Sequence, residues 1–167
     1  MILKKSILFI LSSLLFASCV VKELQLQPVC VTRYNTLDQY TYFYTTPTEP
    51  KTSSSGSVFG YGYGVYGYNR TKSTNPADII SGFMIKKGFI QLPELNNELA
   101  DKTIIINYGE TGRRNTGSGY TIEITLQIIS AKTNEIICIV TGEGQGETEA
   151  DDIRIAINRC LEELYQQ

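Results

Sequence analysis

Hydrophobic and polar positions alternate most regularly between Tyr120 and Ser130. Ile122, Ile124, Leu126 and Ile128 fall on one side of an extended chain, and Thr121, Glu123, Thr125 and Gln127 on the other. That is the period-2 pattern of a strand with one dry face. Ala131 to Asn134 turns the chain into a second strand, Glu135 to Thr141, which completes a long hairpin. The period then lengthens. Ala150, Ile153, Ile157, Cys160, Leu161 and Leu164 recur at three- and four-residue steps, which puts them on one face of a helix. Thr148 suits its N-cap, and Glu149, Asp151 and Asp152 suit the positive end of its dipole; Arg159 lies in its last part. The apolar helix face is expected to lie on the dry face of the hairpin.

The same signals run upstream. Thr103 to Tyr108 reads as a buried strand, and Glu110 to Gly119 (ETGRRNTGSG) as a polar loop. Phe89 to Leu99 is mixed and is expected to cover the core. Asn75-Pro76-Ala77-Asp78 opens another helix: Asn75 can accept from an orphan N–H, and Pro76 fits the first helical position. Ile79, Ile80, Phe83 and Met84 give that helix an apolar face, Gly82 weakens it, and Gly88 fits just past its end. Val29 to Thr46 is strand-rich, with Tyr40, Tyr42 and Tyr44 alternating with Thr41, Phe43 and Thr45 before Pro47. Glu49 to Ser57 (EPKTSSSGS) is a loop or linker by composition. Val58 to Asn69 (VFGYGYGVYGYN) is a Gly/Tyr-rich loop or hairpin. The expected architecture is α+β: an antiparallel or mixed sheet, ending in the long hairpin, with two helices packed on it.

The first residues carry a different message. Lys4 and Lys5 precede an uncharged, mostly apolar run from Ser6 to Phe16, and Ala17-Ser18 lead into Cys19. A positive start, a short apolar run and small residues describe a secretory signal. The segment ending in Cys19 resembles the lipobox of bacterial lipoproteins, with Phe16 at the position where Leu is usual. That resemblance implies cleavage before Cys19 and lipid on its thiol. Residues 1–18 are then a lipoprotein signal peptide, 19–28 a lipidated tether and 29–167 a single domain. Val20, rather than Asp, follows the cysteine, so the inner-membrane retention signal is absent and an outer-membrane address is expected.

Composition removes most chemistries. The chain has 167 residues and no histidine. It therefore lacks the usual near-neutral general base, the commonest metal ligand, and any Ser-His or Cys-His pair. Formal charge is −2, and −4 once Lys4 and Lys5 are removed. Without a basic excess, nucleic acid is not an expected partner. Cys30, Cys138 and Cys160 lie in or beside apolar elements. They read as buried small hydrophobes, or as one disulfide with a thiol left over. No CxxC occurs. Gly142 to Gly146 lies between strand and helix but lacks the P-loop and GxGxxG patterns, and neighbouring carboxylates oppose phosphate. It reads as a flexible strand exit. No nucleotide, metal or other cofactor is expected.

Several phrases in order carry a family resemblance. They are LDQYTYFY, a helix ending in KKGF, ADKTIIINYGE, the hairpin YTIEITLQIISAKTNEIICIVTGEGQG and the helix DDIRIAINRCLEEL. Across nearly all of the chain after Cys19 this resembles the uncharacterised bacterial lipoprotein family known as domain of unknown function 4136. The family usually carries a Trp in the strand after the turn, where Cys138 stands among aliphatics here. The resemblance implies an envelope lipoprotein with an α+β domain, and no reaction.

The candidate site residues follow. Cys19 is the lipidation site. Tyr61, Tyr63, Tyr66 and Tyr68 are separated by glycines, and tyrosine supplies large amphipathic surface at low entropy cost. They suit a recognition element for an envelope protein, a glycan or a bilayer, or else pack on their own domain. Arg113 and Arg114 can meet an anionic glycan or lipid phosphate, or are simply solvated. The expected function is a noncatalytic envelope lipoprotein that binds or assembles. A carboxylate-only enzyme acting on envelope glycan, and a structural surface component, are the competing expectations.

Overall fold

The computed structural model describes residues 26–61, 64–117 and 119–166, with backbone alone for 57–61 and 64–69. Cys19 and Tyr63 lie outside the described residues. The domain is α+β, as expected. A mixed six-stranded sheet has the order β1-β8-β7-β6-β2-β5, and a separate two-stranded ribbon is formed by β3 and β4. The sheet strands are β1 (Cys30–Arg33), β2 (Tyr42–Thr45), β5 (Ile90–Gln91), β6 (Thr103–Asn115), β7 (Tyr120–Ser130) and β8 (Ile136–Gly144). The ribbon strands are β3 (Lys51–Tyr61) and β4 (Gly64–Thr74). Helix α1 spans Pro76–Lys86 and helix α2 spans Glu149–Gln166, and a short 3-10 helix covers Asn97–Lys102. β2 is parallel to both β5 and β6, whereas β6, β7, β8 and β1 are antiparallel in succession.

The core follows the two periodicities. Ile122, Ile124, Leu126 and Ile128 on β7 are buried, as are Ile153, Ile157, Cys160, Leu161 and Leu164 on α2. Helix and hairpin close on each other as their patterns require. Burying one such Ile or Leu side chain stabilises by about 1.5–3 kcal/mol before entropy is counted. Phe43 of β2 is fully buried and joins the same cluster as Ile80 and Met84 of α1. Tyr42 and Tyr44 are only half-buried, so the dry face of β2 is the Phe43/Thr45 face. Phe83, Phe89 and Tyr165 meet ring to ring, and the Lys87 ammonium sits over two of those rings, which ties the C-terminal ends of the two helices together.

Helix ends are satisfied largely as the sequence implies. The Asn75 side chain accepts from the Ala77 amide, and Gly88 takes φ 93° just beyond α1. Asn75→Ala should destabilise the domain by about 1 kcal/mol. Urea unfolding checks this, and an unchanged midpoint would contradict the cap. The Thr148 hydroxyl accepts from the Asp151 amide at the start of α2. Arg159 lies in the last part of α2 but short of its last turn, where no basic residue of the helix stands. Arg33 of β1 donates to the Leu164 carbonyl instead.

Five local expectations are corrected. Lys51 to Ser57 is strand, not linker, because its Ser and Thr side chains pair across the ribbon, Thr52 with Ser73 and Ser54 with Thr71. Arg113 and Arg114 stand in β6, which continues past a register shift at Glu110/Gly112 to Asn115, not in a loop. The segment after Phe89 covers little: Ile90 and Leu95 are exposed, and the 3-10 helix buries no residue. β8 runs on through Gly144, so most of the supposed flexible exit is buried strand. All three described cysteines are free thiols. Cys138 and Cys160 are buried, and burial pushes the Cys160 thiol up to about 12. Cys30 is exposed, contrary to expectation, because β1 is an edge strand.

Candidate functional site

The strand directions bring several singled-out residues to one end of the sheet. β6 ends there at Asn115, β7 begins there at Tyr120, and β8 ends there at Gly144. β1 is antiparallel to β8 with Cys30 opposite Thr141, so the segment preceding β1 arrives at the same end. Helix α2 starts there as well.

Arg114 and Glu143 stand on the two strands flanking β7. Register places Arg114 opposite Thr121 and Glu143 opposite Glu123, on one face. The guanidinium donates to both carboxylate oxygens at 2.9 and 2.6 Å and so bridges β7. Beneath this bridge Thr121 is fully buried, which explains why a polar position on the expected wet face is dry. Glu143 is 6% exposed at its side chain, against 38% for Arg114. The hydrogen bonds from Arg114 outweigh the effect of burial and hold the Glu143 carboxyl at about 2. The same carboxylate accepts from the Gln27 amide at 3.1 Å. Arg159 of α2 donates to the carbonyls of Gln27 and Glu143. Gln27 is therefore fixed to the sheet, although the expected tether includes it.

A second set of contacts secures the ribbon. Ser53 of β3 accepts from the Ala150 amide of α2 at 2.9 Å. Lys72 of β4 donates to Asp151 at 2.7 and 2.8 Å, and Arg70 to Glu147 at 2.5 Å. Burial opposes ionisation of Asp151, but hydrogen bonds from Lys72 and Thr148 prevail and keep its carboxyl below the usual range. Arg113 donates to Glu149 at 2.6 Å and lies 5.2 Å above the half-exposed ring of Tyr120. The acids of the first turn of α2 thus face strand cations as well as the helix dipole. Asp152 differs: burial raises its carboxyl, and it accepts from the Gly146 amide. A depression of about 480 Å³ lies between these parts, lined by Ser53, Ser55, Tyr120, Gln145, Glu149 and Asp152 among others.

The remaining candidates lie further out on the ribbon. Tyr61 pairs with Gly64, Tyr66 with Phe59, and Tyr68 with Ser57. Directly opposed residues of a two-stranded ribbon share a face, and the faces alternate along each strand. Phe59, Tyr61, Tyr66 and Tyr68 therefore occupy one face, and Val58, Gly60, Val65 and Gly67 the other. Local sequence motifs do not reveal Glu143, Gln27 and Arg159; their partners are 16 to 132 residues away in sequence, and no local spacing announces them. Among the described residues no group of three His, Cys, Asp or Glu side chains is placed to hold a metal ion. Among them, too, no helix is long and apolar enough to cross a membrane.

No protein-family model matches the chain, and no curated protein matches it. Among solved structures, a PelC dodecamer from Paraburkholderia phytofirmans in space group C2 is similar, with a TM-score of 0.47 and 13% identity, covering 83% of this chain and 98% of that one. A PelC dodecamer of the same organism in space group P6 gives 0.44 and 11%, covering 83% and 97%. Values this low transfer neither activity nor assembly to this chain.

Proposed function

We propose that the chain is a noncatalytic bacterial envelope lipoprotein, anchored through Cys19 and acting by binding or assembly through the β3–β4 ribbon. The carrying observation is the ribbon itself. It stands outside the main sheet, and its base is clamped to the start of α2 by Ser53, Arg70 and Lys72. A surface element gains binding precision when its base is held rigidly. The ribbon's outer part combines tyrosines with glycines, a composition suited to contact. The resemblance to domain of unknown function 4136 supports the same reading, as do the secretory start and Val20 for an outer-membrane address.

The rival reading, hydrolysis by paired carboxylates, draws little support from the acids at this end. Glu143, Glu147, Glu149 and Asp151 each have a cation partner. Glu143, held at about 2, is ionised near neutral pH and cannot serve there as a general acid.

Metabolic labelling with palmitate tests the anchor. The wild-type chain should incorporate label and sediment with membranes, and Cys19→Ala should abolish both. Two or three acyl chains anchor stably, whereas their complete loss leaves no comparable attachment. Equal membrane retention of the two chains, with no label on either, would sink the reading.

A further inference from the structure

The ribbon and Gln27, from which the chain leads back to Cys19, lie at the same end of the domain. β2 and β6 run in parallel toward the end where β6 meets β7. The chain keeps that heading into β3. Lys51 pairs with Glu110 at 3.2 Å, Ser53 reaches Ala150, and Ser54 and Ser55 line the depression beside Gly119 and Tyr120. Six further register pairs follow, from Gly56 and Asn69 to Tyr61 and Gly64. At about 3.3 Å per residue they carry the ribbon roughly 20 Å beyond the clamp.

The N-terminal segment leaves from this end too. Gln27 is fastened there by Glu143 and Arg159. Cys19 precedes Gln27 by eight positions. Eight residues reach at most about 26–29 Å. The span available to the tether is thus of the same order as the length of ribbon beyond the clamp, and somewhat greater. A domain held by lipid on Cys19 can therefore bring the outer ribbon to the bilayer without extending the tether fully.

The chemistry of that outer part decides among occupants. Phe59, Tyr61, Tyr66 and Tyr68 share one face. Tyrosine concentrates at the level of lipid headgroups, where its ring is half in apolar surroundings and its hydroxyl is wet. Arg70, Lys72, Arg113 and Arg114 are engaged by acids of this end, so an excess of cations for a polyanion is not what the end presents.

We infer that the aromatic face of the β3–β4 ribbon, carrying Phe59, Tyr61, Tyr66 and Tyr68, rests in the interfacial layer of the bilayer that holds the Cys19 lipid. The domain then has two membrane contacts, which fix its tilt as well as its distance. This inference rests on the anchored reading above.

The absence of tryptophan makes a direct test possible. Tyr66→Trp gives a single indole on the ribbon. Tyr34→Trp gives one at the opposite end, where Tyr34 is 65% exposed and its amide bonds to Ile137 near the start of β8. Each chain is produced with its own signal, purified from the membrane fraction and reconstituted in vesicles. The vesicles contain phosphatidylethanolamine and phosphatidylglycerol with brominated acyl chains. Fluorescence of Tyr66→Trp should fall about twofold relative to unbrominated vesicles and shift to the blue, while Tyr34→Trp stays unchanged. Flotation of each chain with the vesicles is scored in parallel. A chain that floats with an unquenched Tyr66→Trp indole overturns the bilayer contact and leaves the anchor standing. So does a blue shift that appears without lipid and grows with protein concentration, because a second copy then covers the face. A chain that carries no lipid and does not float overturns the anchor and the contact together.

Discussion

Gly144→Ala should cost the domain on the order of 3 kcal/mol or more, enough to remove much of the folded protein at ordinary temperatures. A methyl group at this position would stand 2.0 Å from the Asp152 carbonyl oxygen and 2.6 Å from the Ala156 nitrogen. Both are backbone atoms of α2, so no rotamer change relieves the overlap. The helix would have to withdraw as a body. Ala150, Ile153, Ala156, Ile157, Cys160, Leu161 and Leu164 hold it in place by burial. Gly142→Ala should be milder, since there the nearest atoms belong to the Cys160 and Val29 side chains. Gly109→Ala is the neutral control, with no atom within 4 Å. Guanidinium unfolding of the three variants measures the ranking. Midpoints for Gly144→Ala and Gly109→Ala that coincide would disprove the close approach of β8 to α2.

Arg114→Met should have the second large effect, and its signature is a changed response to acid. The Glu143 carboxyl lies at about 2 in the folded domain, against an ordinary value of 4.5. A carboxyl depressed by folding contributes stability above its unfolded pKa. That contribution is lost as pH falls from about 4.5 toward 2. Wild type should therefore weaken steadily through that window. Removing Arg114 removes the largest cause of the depression. The carboxylate keeps the Gln27 amide and Thr121, but in a site only 6% exposed burial then dominates and raises its pKa. The variant should melt several degrees lower near neutral pH and lose much of the acid dependence assigned to this group. Glu143→Gln should also flatten the acid limb but weaken the neutral-pH state less, because Arg114 is 38% exposed and water can replace its partner. Melting temperature followed from about pH 2 to pH 7 separates the three chains. Parallel curves for wild type and Arg114→Met would refute the assignment.

The parts of the fold legible in the sequence are those where one face is dry. Burial forces a strict period, so β7 and α2 announce themselves through Ile122 to Ile128 and Ile153 to Leu164. The turn between β7 and β8 and the Asn75 and Thr148 caps are equally local. The first half of β3 has no such constraint. Lys51 to Ser55 is Ser/Thr-rich and largely exposed, and only its cross-strand partners make it a strand. Arg113 and Arg114 have the local composition of a loop, because glycine, asparagine and threonine surround them. Their ion pairs with Glu149 and Glu143 depend on which strands become neighbours.

Glycine carried two opposite meanings. By composition Gly142 and Gly144 imply freedom, whereas in the fold they permit a helix to lie against a strand. The Gly/Tyr pattern of Tyr61, Tyr66 and Tyr68 fits a loop or hairpin, and the ribbon register makes them co-facial. The shared end of Gln27 and the ribbon is not a local property of the sequence. It follows from β1 running antiparallel to β8 while β2 runs parallel to β6.

The pairing of Lys51 with Thr74 at the root of the ribbon has a consequence for how such a domain can diversify. The chain departs from the framework and rejoins it at adjacent points, about 5 Å apart as in any antiparallel pair. None of the six sheet strands depends on the ribbon for its ladder bonds. The ribbon is an appendage on a self-contained framework, with a junction that tolerates change in length and composition outward of the clamp. Two proteins sharing this framework can therefore meet quite different surroundings without redesigning the core.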